Sequence, residues 1–526
     1  MNRAQRPPVF ERPWLVAALV FAWLALIAWY RPLTSPDEGR YATVAYEMIR
    51  SGDWLVPRLN GLPFFHKPPL FYWIGAAAMS VLGATEWAAR LPSLLGATLA
   101  AVSLLFFLRR WTDAKTAMLS AAVLASMPFF YIGAQFANLD MLVAGLISAT
   151  VLLAAHAALS RREAPDSGWR RALAGAFVCA GLGVLAKGLI GLVLPGMVFV
   201  LWCVATRRLR DAWLMAWPPG LCLLVAVAGP WLVAMQLRYP EFFDYFIVTQ
   251  HFRRFAASGF NNEHPFWFYL PVIAALSLPW VGWLLRKPRA ARKDPHTSDV
   301  NWLMGIWGLG IVVFFSIPRS KLIGYVLPAL PPLAYLIATR VRAAVDDTGR
   351  MAPAVRWSGA LAGAVCVAGV IAGQVYAKPP SAGLDLPPGQ AVAPTDQVVM
   401  LDAYYYEVPF YWKLQQQVTV WSNWTPEVVN AQDSWRKELH DAGHFEPALA
   451  TRLLVGPGAS RGMPCMTGTT WLIGPPNLPS LLPWLAQAEL VTDNSEMAVW
   501  RLTRQPEGLA CTDAPGAPSP RTAVAP

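Results

Sequence analysis

Charged residues are scarce in this chain, and their scarcity excludes an ordinary soluble protein. Of the 526 residues, 14 % are Asp, Glu, Lys or Arg, whereas 55 % are apolar. In soluble domains, charged residues make up roughly a quarter of the sequence. Apolar runs close to the ~20 residues that cross a bilayer recur through the first three quarters of the chain and stop near Ala377. The composition therefore predicts a membrane protein.

Three further features are absent from the sequence, and their absence limits the kinds of membrane protein and of partner that we expect. No small-residue cleavage site follows the first apolar run, and Arg31-Pro32 stands directly behind it, so we interpret the run as a retained span and not as a signal peptide. The Lys and Arg residues, which give a net charge of +11, line no continuous groove, and this disfavours a nucleic-acid partner. No Gly-rich nucleotide fingerprint is present, so a nucleotide-linked substrate is not expected.

The basic residues cluster in short loops, and these loops set the predicted orientation. The positive-inside rule places in the cytoplasm the loops at 3–12, 109–115, 161–171, 207–210, 286–293 and 340–356. Between them, the apolar runs predicted to span are 14–30, 92–108, 116–134, 141–159, 172–187, 188–205, 213–234, 266–285, 300–317, 321–339 and 357–376. The pattern predicts about eleven to thirteen transmembrane helices, with the N-terminus cytoplasmic and the C-terminus outside.

Residues 70–83 are apolar but too short to cross a bilayer. Counting them as a span would reverse every later loop. We therefore predict a re-entrant or interfacial helix here.

The pattern changes after residue 377. Short strand-like runs alternate with helical stretches such as 431–442, and this alternation predicts a small α/β domain with strands at 397–401, 417–421, 452–455, 470–473 and 498–502. The predicted domains are a membrane domain at 1–376, whose first outer loop at 31–69 carries interfacial helices, and an outer α/β domain at 377–504. The Pro- and Ala-rich tail at 505–526 is predicted to be disordered.

Six cysteines are present. Cys179, Cys203, Cys222 and Cys366 lie in apolar runs, where a thiol packs as a small hydrophobe. The other two belong to the outer part of the chain, in a compartment that we expect to be oxidising. A structural disulfide between Cys465 and Cys511 is therefore predicted.

The first outer loop contains two adjacent carboxylates, in Ser35-Pro36-Asp37-Glu38. One interpretation is a helix start, with Ser35 as N-cap, Pro36 at the first helical position and Glu38 completing a capping box, and it leaves Asp37 less constrained. One face of the following helix repeats apolar residues that would seat it on the membrane surface, namely Tyr41, Val44, Ala45, Met48 and Ile49. Asp37 would then face a cavity at the interface and act in chemistry.

A second acidic candidate, Asp140, lies at the outer mouth between two spans. An acid at the edge of an apolar run is either functional or a solvated helix-end charge. Outer loops also carry cations against the positive-inside trend, namely Lys67, Arg253, Arg254, Arg319 and Lys321. Snorkelling at helix ends would explain any one of them, but together with two acids they suit a phosphate-bearing lipid.

Two other sets of residues have alternative interpretations. Lys187 lies deep in an apolar stretch and either marks a helix end or is an intramembrane charge. His66, His251 and His264, with Glu263, could hold a divalent metal such as zinc, although their spacing matches no regular zinc motif. We expect no required cofactor and keep the metal as an alternative.

Several motifs resemble those of the bacterial lipid A aminoarabinose transferases. They are Ser35-Pro36-Asp37-Glu38-Gly39-Arg40-Tyr41, Lys67-Pro68-Pro69-Leu70, Trp87-Ala88-Ala89-Arg90-Leu91-Pro92-Ser93, Leu139-Asp140-Met141, Gln250-His251, Arg254-Phe255 and the run from Ser320 to Pro328. The outer-domain stretches around Tyr404-Tyr405-Tyr406 and Trp435-Arg436-Lys437-Glu438-Leu439 are similar too. This family is grouped with the protein O-mannosyltransferases in the GT-C superfamily, so the resemblance implies a GT-C fold.

The resemblance implies a function as well. The donor would be undecaprenyl-phosphate 4-amino-4-deoxy-L-arabinose and the acceptor a lipid A phosphate, in lipopolysaccharide modification and polymyxin resistance at the bacterial inner membrane. Asp37 would be the catalytic carboxylate, with Asp140 and Glu38 as further acidic residues of the site. The donor phosphate would be held by Lys67, Arg254, Tyr325 and Lys321. The family pattern leads us to expect an acid before Lys67 and before His251, but this chain has His66 and Gln250.

Two other functions stay open at this point. The same chemistry could act on another acceptor, such as a protein hydroxyl, which needs a general base more than a phosphate does. A flippase for a lipid-linked sugar would instead place charges near the bilayer midplane. Because the acids lie in outer loops, the sequence favours an enzyme.

Overall fold

The computed structural model describes residues 13–164, 168–253, 262–286, 295–344, 351–376, 379–382, 384, 386, 390–457, 465, 466 and 468–507. Its α-helices in chain order are α1 (Pro13–Ala25), α2 (Asp37–Ser51), α3 (Leu70–Leu82), α4 (Glu86–Trp111), α5 (Ala114–Ala125), α6 (Pro128–Ala134), α7 (Leu139–Glu163), α8 (Trp169–Lys187), α9 (Ile190–Ala205), α10 (Leu209–Ala212), α11 (Pro218–Arg238), α12 (Tyr269–Leu276), α13 (Pro295–Ser316), α14 (Leu330–Val341), α15 (Pro353–Tyr376), α16 (Val408–Tyr411), α17 (Pro426–Val429), α18 (Trp435–His444) and α19 (Pro447–Leu453).

The other regular elements are strands, a π-helix and 3-10 turns. The strands are β1 (Arg58–Leu59), β2 (Leu62–Pro63), β3 (Gln397–Leu401), β4 (Thr419–Trp421), β5 (Leu454–Val455), β6 (Thr470–Gly474), β7 (Glu489–Asp493) and β8 (Ala498–Leu502). A π-helix covers Asp244–Arg253, and 3-10 turns cover Trp213–Ala216, Trp280–Leu285, Ile323–Ala329, Arg342–Ala344, Leu478–Ser480 and Pro483–Gln487.

The chain divides into two compact units. The first, the membrane unit, comprises 1–32 and 65–377, and the second, the sheet unit, comprises 33–64 and 378–526. The prediction gave the whole first outer loop to the membrane domain. The structure instead groups 33–64 with the C-terminal residues.

The membrane unit contains the long apolar helices. Within the described residues, six are long and apolar enough to cross a bilayer, namely α4, α7, α8, α11, α13 from Thr297 and α15. The pair α5 and α6, bent by 63°, makes a seventh if it counts as one span. Of the remaining predicted spans, 266–285 and 321–339 are broken near Pro279 and Pro328, where proline cannot donate a backbone hydrogen bond. The spans 14–30 and 188–205 correspond to the shorter helices α1 and α9. The chain is therefore a multi-pass α-helical membrane protein, as predicted.

Helix α3 covers the residues predicted as a short membrane helix. It runs over Leu70–Leu82, so it is too short to cross a bilayer alone. It packs on α4 and α8 of its own unit, and its end at Val81 and Leu82 is exposed.

The sheet unit is built on a six-stranded sheet in the order β5-β4-β3-β6-β8-β7. Strands β5, β4, β3 and β6 are parallel, and β8 and β7 add to β6 as antiparallel strands. One core cluster of this unit contains Val399, Leu401, Leu472, Leu478, Leu485, Ala498, Trp500 and Leu502. The predicted C-terminal α/β domain is confirmed.

The first outer loop is tied to this sheet by a hairpin. Asn60 and Gly61 form its two-residue turn with φ of 55° and 80°, the left-handed geometry that Asn-Gly favours between paired strands. The Asn60 side chain donates to the carbonyl oxygen of Val418 at 2.7 Å and accepts from the Val418 N–H at 2.8 Å. The hairpin is thus anchored beside β4.

Helix α2 differs from its prediction in two respects. Pro36 is its N-cap and makes no side-chain cap hydrogen bond, so the prediction that Ser35 caps the helix was wrong. The apolar face that was expected on the membrane surface is buried in protein at Tyr41, Val44, Ala45 and Met48. Beside this face, Thr43 donates to the carbonyl oxygen of Tyr406 at 2.6 Å.

Candidate functional site

Asp140 and Lys187 form a buried ion pair in the membrane unit. Asp140 lies in the first turn of α7, and Lys187 is the last residue of α8. Their side chains are 7 % and 11 % exposed. A charge taken out of water is tolerated when an opposite charge compensates it. The second acidic residue predicted from the sequence is therefore paired with a lysine.

Tyr325 completes this cluster. The Lys187 ammonium lies 4.5 Å from the centroid of the Tyr325 ring, a cation–π distance. The neighbouring Gly324 has no side chain, and a Cβ there would lie 2.5 Å from Oδ2 of Asp140. The Gly324-Tyr325 pair thus lets the backbone approach Asp140 closely while the phenol ring covers Lys187.

Helix α4 fixes the segment that leads into Asp140. Ser93 Oγ lies 2.7 Å from the carbonyl oxygen of Phe136 and 3.0 Å from that of Asn138. The Asn138 side chain in turn caps α7 by accepting from the Asp140 N–H at 3.0 Å. One turn further along α4, a Cβ on Gly96 would lie 2.5 Å from the carbonyl oxygen of Met141. Asp140 is therefore held in position by backbone contacts.

A glycine contact also fixes Lys187. Gly183 in α8 and Gly191 in α9 lie on either side of the tight connection, and a Cβ on Gly191 would overlap the Gly183 backbone. Gly188, directly after Lys187, has φ of +88°, a left-handed value that favours glycine. The chain can thus reverse immediately after Lys187 and leave its side chain beside Asp140.

Asp37 lies in the sheet unit, at the start of α2. Its carboxylate pairs with Arg40 at 2.5 Å and is 37 % exposed. Arg40 also pairs with Glu438 of α18. Burial would lower the pKa of Arg40, but the Glu438 carboxylate, with smaller contributions that include Asp37, raises this pKa well above its usual value. Asp37 is thus an accessible carboxylate held by a buried arginine.

Glu38 has a different environment from Asp37. It is fully buried, and its Oε2 accepts from both the N–H and the hydroxyl of Thr34 at 3.0 Å. These bonds hold the turn that precedes α2. The geometry favours a structural role for Glu38 over the predicted catalytic one.

The predicted phosphate ligand Lys67 is half-buried and follows His66. Nε2 of His66 lies 2.7 Å from the Tyr245 hydroxyl, so this loop is joined to the π-helix Asp244–Arg253. Arg254, a further predicted phosphate ligand, lies outside the described residues, as does the side chain of His251.

Lys321 does not have the environment expected of a phosphate ligand. It is 2 % exposed, and its ammonium donates to the backbone carbonyl oxygens of His264, at 2.9 Å, and Pro318. These bonds join two loops of the membrane unit. The ammonium thus stabilises the two loops, and its hydrogen bonds go to backbone carbonyl oxygens and not to a ligand.

Two of the predicted metal ligands, His66 and His264, have other ring contacts in the structure. The His264 ring stacks on Phe268 at 4.0 Å between centroids, and His66 is bonded to Tyr245. Over the part of the chain that the structure describes, no group of three or more His, Cys, Asp or Glu could hold a metal ion.

Three residues of these clusters were not predicted as site residues from the sequence: Lys187, Arg40 and Glu438. Lys187 could have been found because a lysine in a membrane helix needs a partner, and Asp140 is an acid at a span edge. Arg40 and Glu438 stood in the quoted motifs, but nothing in their spacing indicates that residues 398 positions apart pair with each other.

The comparisons with known proteins agree with the motifs. The family model for dolichyl-phosphate-mannose-protein mannosyltransferases matches residues 66–233. An undecaprenyl phosphate-alpha-4-amino-4-deoxy-L-arabinose arabinosyl transferase from Aeromonas salmonicida is 34 % identical over 320 residues, which are 60 % of this chain and 57 % of that protein. The enzyme of the same name from Erwinia tasmaniensis is 33 % identical over 62 % of this chain and 59 % of its own length. The chain thus matches less than three fifths of the length of these relatives.

The fold is also similar to that of a solved structure. The crystal structure of ArnT from Cupriavidus metallidurans bound to undecaprenyl phosphate superposes with a TM-score of 0.72 at 24 % identity, covering 92 % of this chain and 97 % of that one. The same protein in the apo state gives a TM-score of 0.70. In its motifs, in its sequence and in its fold, the chain is therefore similar to the bacterial aminoarabinose transferases.

Proposed function

We propose that this chain is a pentosyltransferase that moves 4-amino-4-deoxy-L-arabinose from undecaprenyl phosphate to a phosphate of lipid A. The observation that carries the proposal is the buried Asp140–Lys187 pair covered by Tyr325. It offers a cation, a phenol and a carboxylate in one place, at the end of apolar helices. A phosphate on a lipid carrier requires such a cation in a low-dielectric setting.

The roles follow from charge. Lys187, Tyr325 and Lys67 bind the donor phosphate and stabilise it as the leaving group, because the phosphate gains negative charge when the glycosidic bond breaks. Asp140 holds Lys187 in position. Asp37, the accessible carboxylate, orients the acceptor or takes a proton from it.

The names of the relatives support the donor. Each of the two relatives is named for undecaprenyl phosphate aminoarabinose, and the neighbouring crystal structure contains undecaprenyl phosphate. We assign the reaction to the periplasmic face of the bacterial inner membrane, with the N-terminus cytoplasmic and the sheet unit periplasmic, because the basic loops favour that orientation.

Mass spectrometry of lipid A tests the proposal. The chain is expressed in a Gram-negative host that makes the donor but lacks its own transferase, beside its Asp37→Asn variant. We expect an aminoarabinose adduct on lipid A with the wild-type chain and none with Asp37→Asn at equal abundance in the membrane.

Two other outcomes would contradict the proposal in different ways. An adduct of equal yield with Asp37→Asn would refute the role of Asp37 alone. No adduct with the inserted wild-type chain would refute the donor or the acceptor and favour transfer to a protein hydroxyl or to another envelope glycan.

The proposal includes no cofactor, because a sugar bound to a lipid phosphate is already activated. A divalent metal at His66, His251 and His264 is the alternative. Activity of purified protein should be unchanged by a chelator, whereas a loss of activity that zinc restores would favour the metal.

A further inference from the structure

The sheet unit joins Asp37 to its C-terminal part through one buried arginine. Arg40 places one guanidinium nitrogen on Asp37, at 2.5 Å, and another on Glu438. Its side chain is 13 % exposed and that of Glu438 is 10 % exposed. Two carboxylates 401 positions apart in sequence thus share a single cation.

Glu438 is itself fixed from its other side. The Tyr406 hydroxyl donates to Oε2 of Glu438 at 2.6 Å, and the Arg40 guanidinium lies 5.5 Å from the Tyr406 ring centroid. Burial, followed by the charge of Glu438, raises the pKa of this phenol well above its usual value. Tyr406 therefore stays a hydrogen-bond donor, and Glu438 stays oriented toward Arg40.

We propose that Glu438 is a positioning residue for Asp37 and acts through Arg40. The inference rests on the proposed function, in which Asp37 is a catalytic carboxylate. With Glu438 present, the positive charge of Arg40 is divided between two carboxylates. The C-terminal part of the chain thereby sets the charge at a residue of the first outer loop.

Neutralising Glu438 should change the acid limb of the pH–rate profile. In Glu438→Gln the whole charge of Arg40 acts on Asp37, so the negative charge of this carboxylate is more strongly stabilised. We expect the acid limb of kcat/KM to move to lower pH by about one unit. We also expect kcat near neutral pH to fall by up to about tenfold, because a more strongly stabilised carboxylate is a weaker proton acceptor. KM for the donor should stay within about twofold.

The chain offers a matched control. Arg58 of β1 pairs with Glu446, whose oxygens lie 3.0 and 3.1 Å from the guanidinium. This second ion pair also joins the first outer loop to the C-terminal part of the same unit, and neither partner is bonded to Asp37. Glu446→Gln should therefore weaken the attachment of the loop and leave the acid limb at its wild-type position.

A conservative variant separates charge from folding. Glu438→Asp keeps the carboxylate on a shorter side chain and should keep the limb within about 0.3 units of wild type. A limb that does not move in Glu438→Gln, or that moves equally in Glu446→Gln, would overturn the inference. If Asp37→Asn kept full activity, the proposed role of Asp37 would fail, and this result is independent of the comparison between the two glutamates.

Discussion

At the scale of single residues, pairing explains why charges occur inside an apolar unit. The Asp140–Lys187 pair and the Arg40 pairs are the places where burial and charge coincide with predicted site residues. Asp37, Asp140 and Tyr325 were singled out from the sequence because each stands in a specific motif. Lys187 was recognisable as a charge in an apolar stretch, but its pairing with Asp140 could not be predicted, since the partner is on another helix and sequence spacing carries no information about that contact.

The Asp140–Lys187 pair predicts how the stability of single and double variants should differ. Lys187→Met leaves Asp140 buried without a counter-charge, which should cost about 3–5 kcal/mol and lower the thermal midpoint by several degrees. Asp140→Asn should also lower the stability, because Lys187 loses its carboxylate partner. In the double variant Asp140→Asn/Lys187→Met both charges are gone, so most of the stability should return.

Activity provides the second measurement of that experiment. The transferase reaction should be lost in Lys187→Met and in the double variant, because the donor phosphate then has no cation at this place. If stability and activity both returned in the double variant, the pair would be structural and the proposed phosphate role would be wrong.

Glu407 of the sheet unit predicts a dependence of stability on pH. It is fully buried, and its Oε1 accepts from Ser381. Burial raises the pKa of this carboxyl above the ordinary glutamate value. The folded state therefore keeps the proton to higher pH than the unfolded chain does. Its contribution to stability is complete below the unfolded pKa and is lost as pH rises through the folded pKa.

The Glu407→Gln variant lacks this titration. The difference in thermal midpoint between the variant and wild type should therefore shift in favour of the variant between about pH 5 and about pH 8. Glu427→Gln, at an exposed position of α17, should show no such shift. A constant difference across this range for Glu407→Gln would contradict the prediction.

At the scale of elements, the sequence predicted helices and strands well where a hydrophobic pattern was strong. Strands β3 and β8 have the predicted bounds, and β6 extends one residue beyond them. Strand β7 was not predicted because its sequence, Glu489-Leu490-Val491-Thr492-Asp493, is polar at both ends and pairs only at the edge of the sheet. Helix α2 was predicted as a helix, but its apolar face could not reveal whether lipid or protein would cover it.

Close helix contacts are a second feature that sequence could not give. Gly191 of α9 contacts Gly183 of α8, and this contact positions Lys187. In Gly191→Ala the added Cβ would overlap the Gly183 backbone and force the helices apart, at about 1–3 kcal/mol. A displacement of about 1 Å at a catalytic group can cost about a hundredfold in rate. We expect transferase activity to fall about tenfold or more while the protein still inserts.

Gly196 provides the control in the same helix. A Cβ at this position would meet no atom within 4 Å, so Gly196→Ala should keep wild-type activity. Equal activity of the two variants, measured at equal membrane abundance, would show that the glycine contact does not position Lys187.

At the scale of the whole molecule, the division of the chain differs from the division of its sequence. Composition separates an apolar region from a polar C-terminal region, and this boundary near residue 377 holds in the structure. Composition could not show that residues 33–64, which interrupt the apolar region, belong to the sheet unit. That assignment depends on pairs distant in sequence, such as Asn60 with Val418 and Arg58 with Glu446.

The state of the cysteines is a further property of the whole molecule that was predicted from the sequence. Cys465 is disulfide-bonded, and Cys179, Cys203, Cys222 and Cys366 are free, as the sequence led us to expect. Cys511, its predicted partner, lies outside the described residues, as does most of the predicted C-terminal tail.

A chain that ends at Tyr376 tests the division into units. The truncation removes the partners of Thr43, Asn60 and Arg58 and uncovers the buried face of α2. A short helix and a two-stranded hairpin are only marginally stable alone. The loop at 33–64 should therefore become sensitive to trypsin after Arg40, Arg50 and Arg58, whereas the full chain should resist at these sites.

Cleavage after Lys115, which is exposed in the membrane unit, serves as the internal reference and should be equal in both chains if the membrane unit remains folded. Transferase activity should be absent from the truncated chain, because Asp37 would lose the Arg40–Glu438 support. A loop that resists trypsin equally in both chains would mean that 33–64 holds its structure without the C-terminal residues, and the sheet unit would then not be one cooperative body.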